Sequence, residues 1–404
     1  MVATTRHYTD SLYQTSDYST MTGVVQITTD TGYRGTGTLL WDGQTVLTAA
    51  HLFDPEIDRA EVIFENSHQQ FKTVQATQYQ IHPFYEPLHD NHDLALVRLS
   101  EKAPGFAQRF ELYREDDAIG QTFAFGGYGT PGTGLEGSDP NATDNPRLIA
   151  ANRFETEGST LKEVLGAAMG WTPKPGTTLV ADFDSGNTSE DALGGLLGIY
   201  DTGLGDEEGL ITSGDSGGPA FIDGKIAGVA SYTSSLGTYD FEPDVDLYDN
   251  SSFGEQGFWQ RVAYDDHQQW IDQSVRDAYG QAPKEVSEID FEIFENDSGD
   301  ISYAYFLIEF HGERFTNDWL SVDYQTRDGT ATAGEDYLPQ QGTLVLYPDE
   351  NQAVMPVEIL GDDQVEDDET FYLDVTNPVG GSFPNGVDTL SAMRTIVDDD
   401  MLIA

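Results

Sequence analysis

The stretch Thr212-Ser-Gly-Asp-Ser-Gly-Gly-Pro-Ala-Phe221 sets one serine, Ser216, between an aspartate and two glycines. Glycines permit turns that a β-carbon would forbid, and they let a substrate carbonyl approach the backbone. Taken alone, Gly-Asp-Ser-Gly is also typical of an ordinary surface turn. Whether Ser216 is a nucleophile therefore depends on a base and an orienting carboxylate elsewhere in the chain.

Two other stretches hold those residue types. "VLTAAHLFD" (46–54) places His51 at the end of an apolar strand, and "HDLALVRL" (92–99) places Asp93 at the head of another. Singly, each has a structural interpretation, because a histidine near a strand end is usually structural and an aspartate before a strand is usually a turn residue. Together with Ser216 they contain every group that serine hydrolysis needs.

The order His51, Asp93, Ser216, with these flanking residues, closely resembles the trypsin-like (chymotrypsin-fold) serine proteases over most of residues 20–277. The resemblance implies that Ser216 attacks the scissile carbonyl, that His51 acts as general base and then general acid, and that Asp93 holds the histidine tautomer. It also implies an oxyanion hole formed by the backbone N–H groups of Gly214 and Ser216. His89 and His92 match no family motif, and we expect both to be solvated loop residues.

Three departures from the family pattern concern activation and specificity. Leu52 stands where the family often has cysteine, and the usual Ile-Val-Gly-Gly amino terminus is absent. Asp215, which pairs with that terminus in the family, either meets an unusual terminus exposed by cleavage (after Arg6, for example) or has another partner. The resemblance sets Leu210 at the floor of the substrate pocket, where a trypsin has aspartate. We expect an apolar pocket of limited depth, without strict Lys/Arg specificity, lined by Leu210, Ile211, Thr233 and Gly257.

The composition limits the classes of partner. The 404 residues carry 71 acids against 19 bases, a formal charge of −52, which argues against binding to nucleic acid or anionic membranes. Cysteine is absent, so disulfides and thiolate metal sites are excluded. No apolar run reaches the roughly 18 residues of a membrane span. Residues 1–22 lack the apolar stretch of a signal peptide, so we expect either that a secretion signal has been removed or that export uses another route. The acids are spread along the whole chain, which favours a saline medium.

A change in composition at "YGQAPKEVSEIDF" (279–291) predicts a domain boundary. Apolar residues at helical spacing precede it, and short strand-like runs typical of an antiparallel sandwich follow it. We predict a mainly β protein with a two-barrel chymotrypsin-like domain over 1–280, a linker at 281–286 and an immunoglobulin-like sandwich over 287–404. Residues 130–210 are expected to form extended loops around one short helix near 160–171.

The second domain contains "ILGDDQVEDDETFYLDV" (359–375) and "RTIVDDD" (394–400). Carboxylates this dense repel one another unless a hard cation or concentrated salt offsets them; a solvated acidic face is the alternative. Together with "VDYQTRDGTATAGEDYLPQQGTLVLYPDE" (322–350), they resemble Calx-β domains over almost the whole of 286–404. Gly361 stands where some members have a further aspartate. The resemblance implies that calcium is held by Glu295, Asp336, Asp362, Asp363, Glu366, Glu369, Asp398, Asp399 and Asp400.

The sequence thus predicts a secreted serine endopeptidase acting on protein or peptide substrates, with calcium in the accessory domain and no cofactor for catalysis. Two alternatives stay open: a zymogen that is inactive until trimmed near its amino terminus, and an adhesion or binding protein that uses the protease fold as a scaffold. The oligomeric state is not predicted.

Overall fold

The structure is a computed structural model that describes residues 2–14, 21–54, 56–142, 146–297, 299, 301–314 and 318–400. The chain divides into two compact units, Met1–Ile271 and Asp272–Ala404. Within the described residues, the first unit contains seventeen strands, two complete helices and the first part of a third. Its strands are β1 Val2–Thr4, β2 Val24–Thr29, β3 Arg34–Leu39, β4 Thr45–Thr48, β5 Ala60–Glu65, β6 Phe71–Ile81, β7 Ala95–Leu99, β8 Thr122–Gly127, β9 Gly132–Thr133, β10 Gly137–Ser138, β11 Leu148–Arg153, β12 Thr156–Glu157, β13 Thr178–Asp182, β14 Gly209–Ile211, β15 Pro219–Ile222, β16 Lys225–Ser234 and β17 Gln256–Arg261. Its helices are α1 Gly158–Leu165, α2 Ala192–Leu197 and α3 Asp265–Asp277, the last of which continues into the second unit.

Strands β2 to β7 close into a barrel in the order β2-β3-β4-β7-β6-β5. Its interior is filled by apolar residues such as Val25, Ile27, Val46 and Val97, all fully buried. A seven-stranded sheet, β11-β8-β15-β16-β17-β13-β12, forms the second half of the unit around Trp259, and a small sheet, β10-β9-β1-β14, lies beside the same core. This barrel and half-barrel confirm the predicted fold class.

The prediction of extended loops over 130–210 was wrong. Strand β11 pairs along its whole length with β8, and β13, buried at every position, pairs with β17. Helix α1 with a 3₁₀ turn at Gly166–Ala168 occupies the predicted helical segment. The glycines and aspartates dominate the local pattern, but pairing with distant strands decides the conformation of the short apolar runs between them.

The second unit is a sandwich. Its strands are β18 Glu292–Phe294, β19 Ile301–Glu309, β20 Leu320–Asp328, β21 Gln341–Leu346, β22 Gln352–Leu360, β23 Glu369–Val379 and β24 Thr389–Val397. They form a five-stranded sheet, β18-β24-β23-β20-β21, and a two-stranded sheet, β19-β22. Phe306, Tyr337, Val357 and Phe371 fill the space between the sheets. The boundary between the units falls within α3, and the linker at 281–286 stays a prediction.

Candidate active site and carboxylate clusters

His51 lies in a 3₁₀ turn, Ala50–Phe53, that follows strand β4. The small residues Ala49 and Ala50 before it are fully buried, which lets the turn pack closely against the barrel. The side chain of His51 keeps 31% of its surface exposed, so its ring can be reached from solvent.

Antiparallel pairing brings Asp93 to His51. Strand β4 pairs with β7 with Thr48 opposite Ala95, so the residues just after β4 lie beside those just before β7. Asp93 is fully buried, and its Oδ2 lies 2.7 Å from His51 Nδ1. Its Oδ1 accepts the backbone N–H of His51 at 2.8 Å. The two bonds fix the orientation of both the ring and the turn.

Ser231, which no sequence motif indicated, completes this chain of hydrogen bonds. Its hydroxyl donates to Asp93 Oδ2 at 2.5 Å from strand β16, and only 5% of the residue is exposed. The signal was a lone serine within the apolar run "GKIAGVASY" (224–232). A polar side chain in a buried strand needs a partner, and a buried carboxylate is one.

The pKa values of the pair follow from opposing effects. Burial alone raises the pKa of Asp93, but His51 and the Ser231 hydroxyl outweigh it and leave that pKa below its ordinary value. Burial lowers the pKa of His51, yet the charge and hydrogen bond of Asp93 raise it above its ordinary 6.5. The arrangement therefore favours a charged Asp93 and makes the His51 ring more basic than a free histidine.

Ser216 lies in the turn between β14 and β15, which packs against the strands leading to His51. The backbone N–H of Thr36 donates to Ser216 O at 2.8 Å, and Gly217 N donates to Ala230 O at 2.7 Å. Gly217 has φ +84°, and a β-carbon there would lie 2.0 Å from Thr48 Oγ1, three residues before His51. The turn can approach this closely only because position 217 is glycine.

Gly214 and Ser216 present backbone N–H groups that no described residue accepts. Gly214 has φ +98°, and its carbonyl accepts the Thr36 hydroxyl at 2.9 Å. The bond from Thr36 holds the Gly214–Asp215 peptide, which lies between the two peptides that carry these N–H groups.

Asp215 points the other way, into the protein. Its carboxylate accepts the N–H groups of Gly129 and Thr212, both at 2.9 Å, and the Thr212 hydroxyl at 3.1 Å. Burial raises its pKa, and these N–H donors oppose the rise. Strand β1 pairs antiparallel with β14, Val2 opposite Ile211, so the start of the chain runs beside this turn.

The four candidate pocket residues lie on neighbouring strands. Thr233 of β16 pairs with Gly257 of β17, and a β-carbon on Gly257 would lie 2.8 Å from Leu210 Cδ1. Leu210 is fully buried and Ile211 is 4% exposed. The Trp259 ring also lies against Gly257.

In the sandwich, two groups of predicted calcium ligands converge. One oxygen each of Glu295, Asp398 and Asp400 lie within 4.8 Å of one another. The parallel pairing of β18 with β24, Phe294 opposite Val397, explains this, since both strands end at the same edge. Glu295 is 5% exposed, and burial with the nearby acids raises its pKa to about 7.

The second group consists of Asp336, Glu366 and Glu369, again with oxygens within 4.8 Å. Burial and Asp336 raise the pKa of Glu369 to about 7. Asp362 raises the pKa of both Glu295 and Glu366, so its charge acts on both groups.

Like Asp362, the two remaining predicted ligands, Asp363 and Asp399, are not members of either group. The charge of each raises the pKa of Asp400, and Asp399 Oδ1 accepts the N–H of Asn296 at 3.1 Å. Gly361 also has a structural reason, because a β-carbon there would lie 2.3 Å from Asn296 O, so an aspartate would not fit without a shift of the backbone.

The expectation that His92 is a solvated loop residue was wrong. His92 is 2% exposed, and its Nδ1 lies 2.8 Å from His267 Nε2. The His82 ring stacks on it with centroids 5.0 Å apart. His267 comes from α3, far along the chain, so no local pattern could predict the cluster. His89, by contrast, is only partly buried.

Comparison with known families agrees with the two units. Residues 13–158 match the family model Trypsin, a span that includes His51 and Asp93 and ends before Ser216, and residues 312–400 match the model of the Calx-beta domain. The chain carries a trypsin-like domain and a Calx-beta domain.

Individual relatives resemble parts of the chain. Sodium/calcium exchanger 2 of Rattus norvegicus is 41% identical over 97 residues, 21% of this chain and 10% of the exchanger. Sodium/calcium exchanger Calx of Drosophila melanogaster is 40% identical over 63 residues, 16% of this chain and 7% of the exchanger. The chain thus spans about a tenth of the length of these relatives.

A solved structure of neuropsin, a serine protease expressed in the limbic system of mouse brain, is 19% identical with a TM-score of 0.45. The match covers 64% of this chain and 96% of that chain. None of the helices in the described part of this chain combines the length and apolar character that crossing a membrane requires.

Proposed function

We propose that the chain is a serine endopeptidase that hydrolyses peptide bonds through Ser216, His51 and Asp93. The observation that carries the proposal is the chain of hydrogen bonds from Ser231 to Asp93 to His51, beside a glycine-rich turn that bears Ser216. The trypsin-like domain supports the reaction class.

In the proposed mechanism, the Ser216 hydroxyl attacks the peptide carbonyl while His51 Nε2 takes its proton. Asp93 holds the Nδ1 proton and stabilises the imidazolium that forms. The N–H groups of Gly214 and Ser216 bind the oxyanion, and a single such donor typically contributes about 3 kcal/mol to barrier lowering. His51 then protonates the leaving amine, water attacks the acyl-enzyme with His51 again as base, and Ser216 is released. This mechanism draws on no cofactor.

For specificity we propose a shallow apolar pocket formed by Leu210, Ile211, Thr233 and Gly257. The buried Leu210 and the Trp259 ring support it, because neither offers a charge to a Lys or Arg side chain. Such a pocket discriminates by about 1–3 kcal/mol per methylene. Kinetics on peptides that differ only at the residue before the scissile bond would test this, and a clear preference for Arg would contradict it.

The test of the endopeptidase proposal is labelling of the full chain with a fluorophosphonate, in calcium and in chelator. We expect labelling that disappears in Ser216→Ala, is strongly reduced in His51→Ala, and is unchanged in the control Ser213→Ala. Absent labelling would contradict an active enzyme. Trimming of the amino terminus would then separate the zymogen, which becomes active, from the scaffold protein, which does not.

We propose further that the Calx-beta domain binds calcium at its two carboxylate groups. The first uses Glu295, Asp398 and Asp400, and the second uses Asp336, Glu366 and Glu369. Asp362 and Asp363 lie in the loop between β22 and β23, and Asp399 follows β24. Support comes from oxygens that lack any partner in the described residues, namely Glu295 Oε1 and Asp400 Oδ2. Calcium takes six to eight oxygens, so each group leaves positions for water or backbone carbonyls.

Calcium binding is tested by the melting temperature (Tm) of the full chain with and without calcium. Calcium should raise the Tm, because the unfolded chain cannot gather the ligands and only the folded chain binds the ion. The variant Glu295→Gln/Asp398→Asn should bind fewer ions, and its Tm should therefore rise less on adding calcium. The matched control is Glu313→Gln/Asp388→Asn, which neutralises two exposed acids of the same unit. Equal calcium binding by the two variants would contradict the proposal.

We also propose that residues 1–280 and 287–404 are separate domains joined by the linker 281–286, and that the protein acts outside the cell in a saline medium. The formal charge of −52 supports the saline medium. Limited proteolysis should cut first within 281–286. Fractionation of the producing cells should recover the chain from the medium, and retention in the cells would contradict secretion.

A further inference from the structure

The trypsin-like unit contains a cluster of acids that the proposed mechanism does not use. Glu155, Asp182 and Asp184 each contribute one carboxylate oxygen, and these oxygens lie within 4.8 Å of one another. The residues are 8%, 0% and 1% exposed, so the cluster is inside the protein. It is separate from the groups of the Calx-beta domain.

Strand pairing explains why the three acids meet. Glu155 precedes β12, and its N–H donates to Val180 O at 2.9 Å on β13. Asp182 ends β13. Asp184 follows it two residues later, and residues two apart in an extended chain point to the same side.

Several of these buried oxygens have no hydrogen-bond donor. Both oxygens of Asp184, Oδ1 of Asp182 and Oε2 of Glu155 lack a partner among the described residues. No Lys, Arg or His of the described chain forms an ion pair with any of the three; the nearby Arg153 pairs instead with Asp201 at 2.5 Å. A buried carboxylate without a partner is strongly unfavourable.

The neighbouring Glu208 shows that the fold can supply donors here. It is fully buried, and its two oxygens accept the backbone N–H groups of Asp184, at 2.7 Å, and of Leu204. Asp182 Oδ2 likewise accepts Leu193 N at 2.7 Å. Backbone N–H groups therefore bond to both oxygens of Glu208 and to one oxygen of Asp182, whereas neither oxygen of Asp184 has a donor among the described residues.

Burial raises the pKa of Glu155, Asp182 and Asp184, and the charges of neighbouring acids raise it further for Glu155 and Asp184. For Asp182, the Leu193 N–H and a hydrogen bond with Glu155 oppose the rise in pKa, which the charge of Asp191 adds to. Such a cluster is stable only if it holds protons or a cation. Protonation would place at most one proton on the two oxygens of Asp184, so the other oxygen would still lack a donor among the described residues.

We propose that Glu155, Asp182 and Asp184 bind a divalent calcium ion inside the trypsin-like unit. All the ligands are carboxylate oxygens, which suit a hard cation and disfavour zinc or copper. Calcium is favoured over magnesium because it accepts irregular sets of oxygens, whereas magnesium requires near-octahedral geometry. The ion joins β13 to the start of β12 and orders the segment 183–208 that leads to Gly209–Ile211.

The test uses the full chain with the Calx-beta groups neutralised by Glu295→Gln, Asp398→Asn and Glu369→Gln. Calcium binding is measured by equilibrium dialysis, with magnesium in a parallel titration. This background should bind one calcium ion that is lost on adding Asp182→Asn/Asp184→Asn and kept on adding the control pair Glu163→Gln/Asp223→Asn. The control removes the same charge from two exposed positions of the same unit.

The Tm provides a second readout, because the substitutions should change it in opposite directions in chelator and in calcium. In chelator, Asp182→Asn/Asp184→Asn should raise Tm above the background, because it removes buried repulsion. In calcium the order should reverse, because only the background gains from the ion. If the double variant fails to fold, judged by circular dichroism, the single variant Asp184→Asn takes its place.

Absence of bound calcium in the background, or equal binding with and without the Asp182/Asp184 substitutions, would overturn the proposal and indicate that the acids hold protons. Because neither readout uses peptidase activity, a failure here is distinct from a failure of the proposed function.

Discussion

At the scale of single residues, the candidate active site depends on one buried carboxylate with three donors. Asp93 accepts the ring and backbone of His51 and the hydroxyl of Ser231, so its charge is satisfied although it is fully buried. A carboxylate held this way orients His51 and raises its pKa. Both effects are open to measurement through the pH dependence of activity.

The rate of peptide hydrolysis should fall as pH drops through the raised pKa of His51, because the protonated ring cannot act as base. Ser231→Ala removes one donor to Asp93 and should lower kcat/KM roughly tenfold, since a hydrogen bond to a charged group contributes about 1.5–3 kcal/mol. It should also shift the pH profile, which Ser234→Ala on the same strand should not. Identical profiles for the two variants would show that Ser231 does not act through Asp93.

The buried histidines give a second prediction at this scale. Burial, with the nearby His92, lowers the pKa of His82 to about 4, whereas an unfolded histidine titrates near 6.5. Between these values the unfolded chain binds more protons, so stability is lost as pH falls from 6.5 toward 4. Denaturant unfolding should show a smaller loss over this range in His82→Gln than in the exposed control His68→Gln. Equal losses in both would contradict the assignment.

At the scale of elements, the fold positions Ser216 by packing its turn against a barrel strand. The Ser216 turn contacts Thr36 and Thr48 so closely that Gly217 has no space for a side chain. Sequence alone shows a flexible Gly-Gly pair, and only the strand beside it explains why glycine is required.

Gly217→Ala should therefore destabilise the protein strongly and abolish activity, because its β-carbon would overlap Thr48 Oγ1 and Thr36 O. Gly224→Ala is the matched control: it also has a positive φ, +73°, but its β-carbon would meet nothing within 4 Å. The control should lose only the strain of the left-handed conformation, about 1–2 kcal/mol. Thermal melting of both variants measures the difference, and equal losses would rule out the steric explanation.

At the scale of the whole molecule, the large excess of acids predicts that electrostatic repulsion lowers the stability of the folded chain at low salt. Residues 286–404 hold 27 acids and three bases, and the rest of the chain is acidic as well. Screening at about 1 M salt shortens the Debye length to about 3 Å, which removes most long-range repulsion between exposed charges.

We expect Tm to rise between low salt and about 1 M NaCl, in excess calcium so that the carboxylate groups stay occupied. An uncharged osmolyte at equal osmolality is the control, and it should raise Tm less. A Tm that does not respond to NaCl would show that the negative charge does not destabilise the folded chain at low salt.

The sequence by itself determined the β class and the trypsin-like and Calx-beta resemblances, and it predicted His51, Asp93 and Ser216 as the catalytic residues. These are encoded locally, in strand-length apolar runs and short motifs whose residue types carry the chemistry. Only the tertiary structure revealed Ser231 on Asp93, the buried His82–His92–His267 cluster, and Glu155 facing Asp182 and Asp184. Each of these depends on strand or helix pairing between segments far apart in the chain, and burial of a polar group becomes visible only once those segments are packed together.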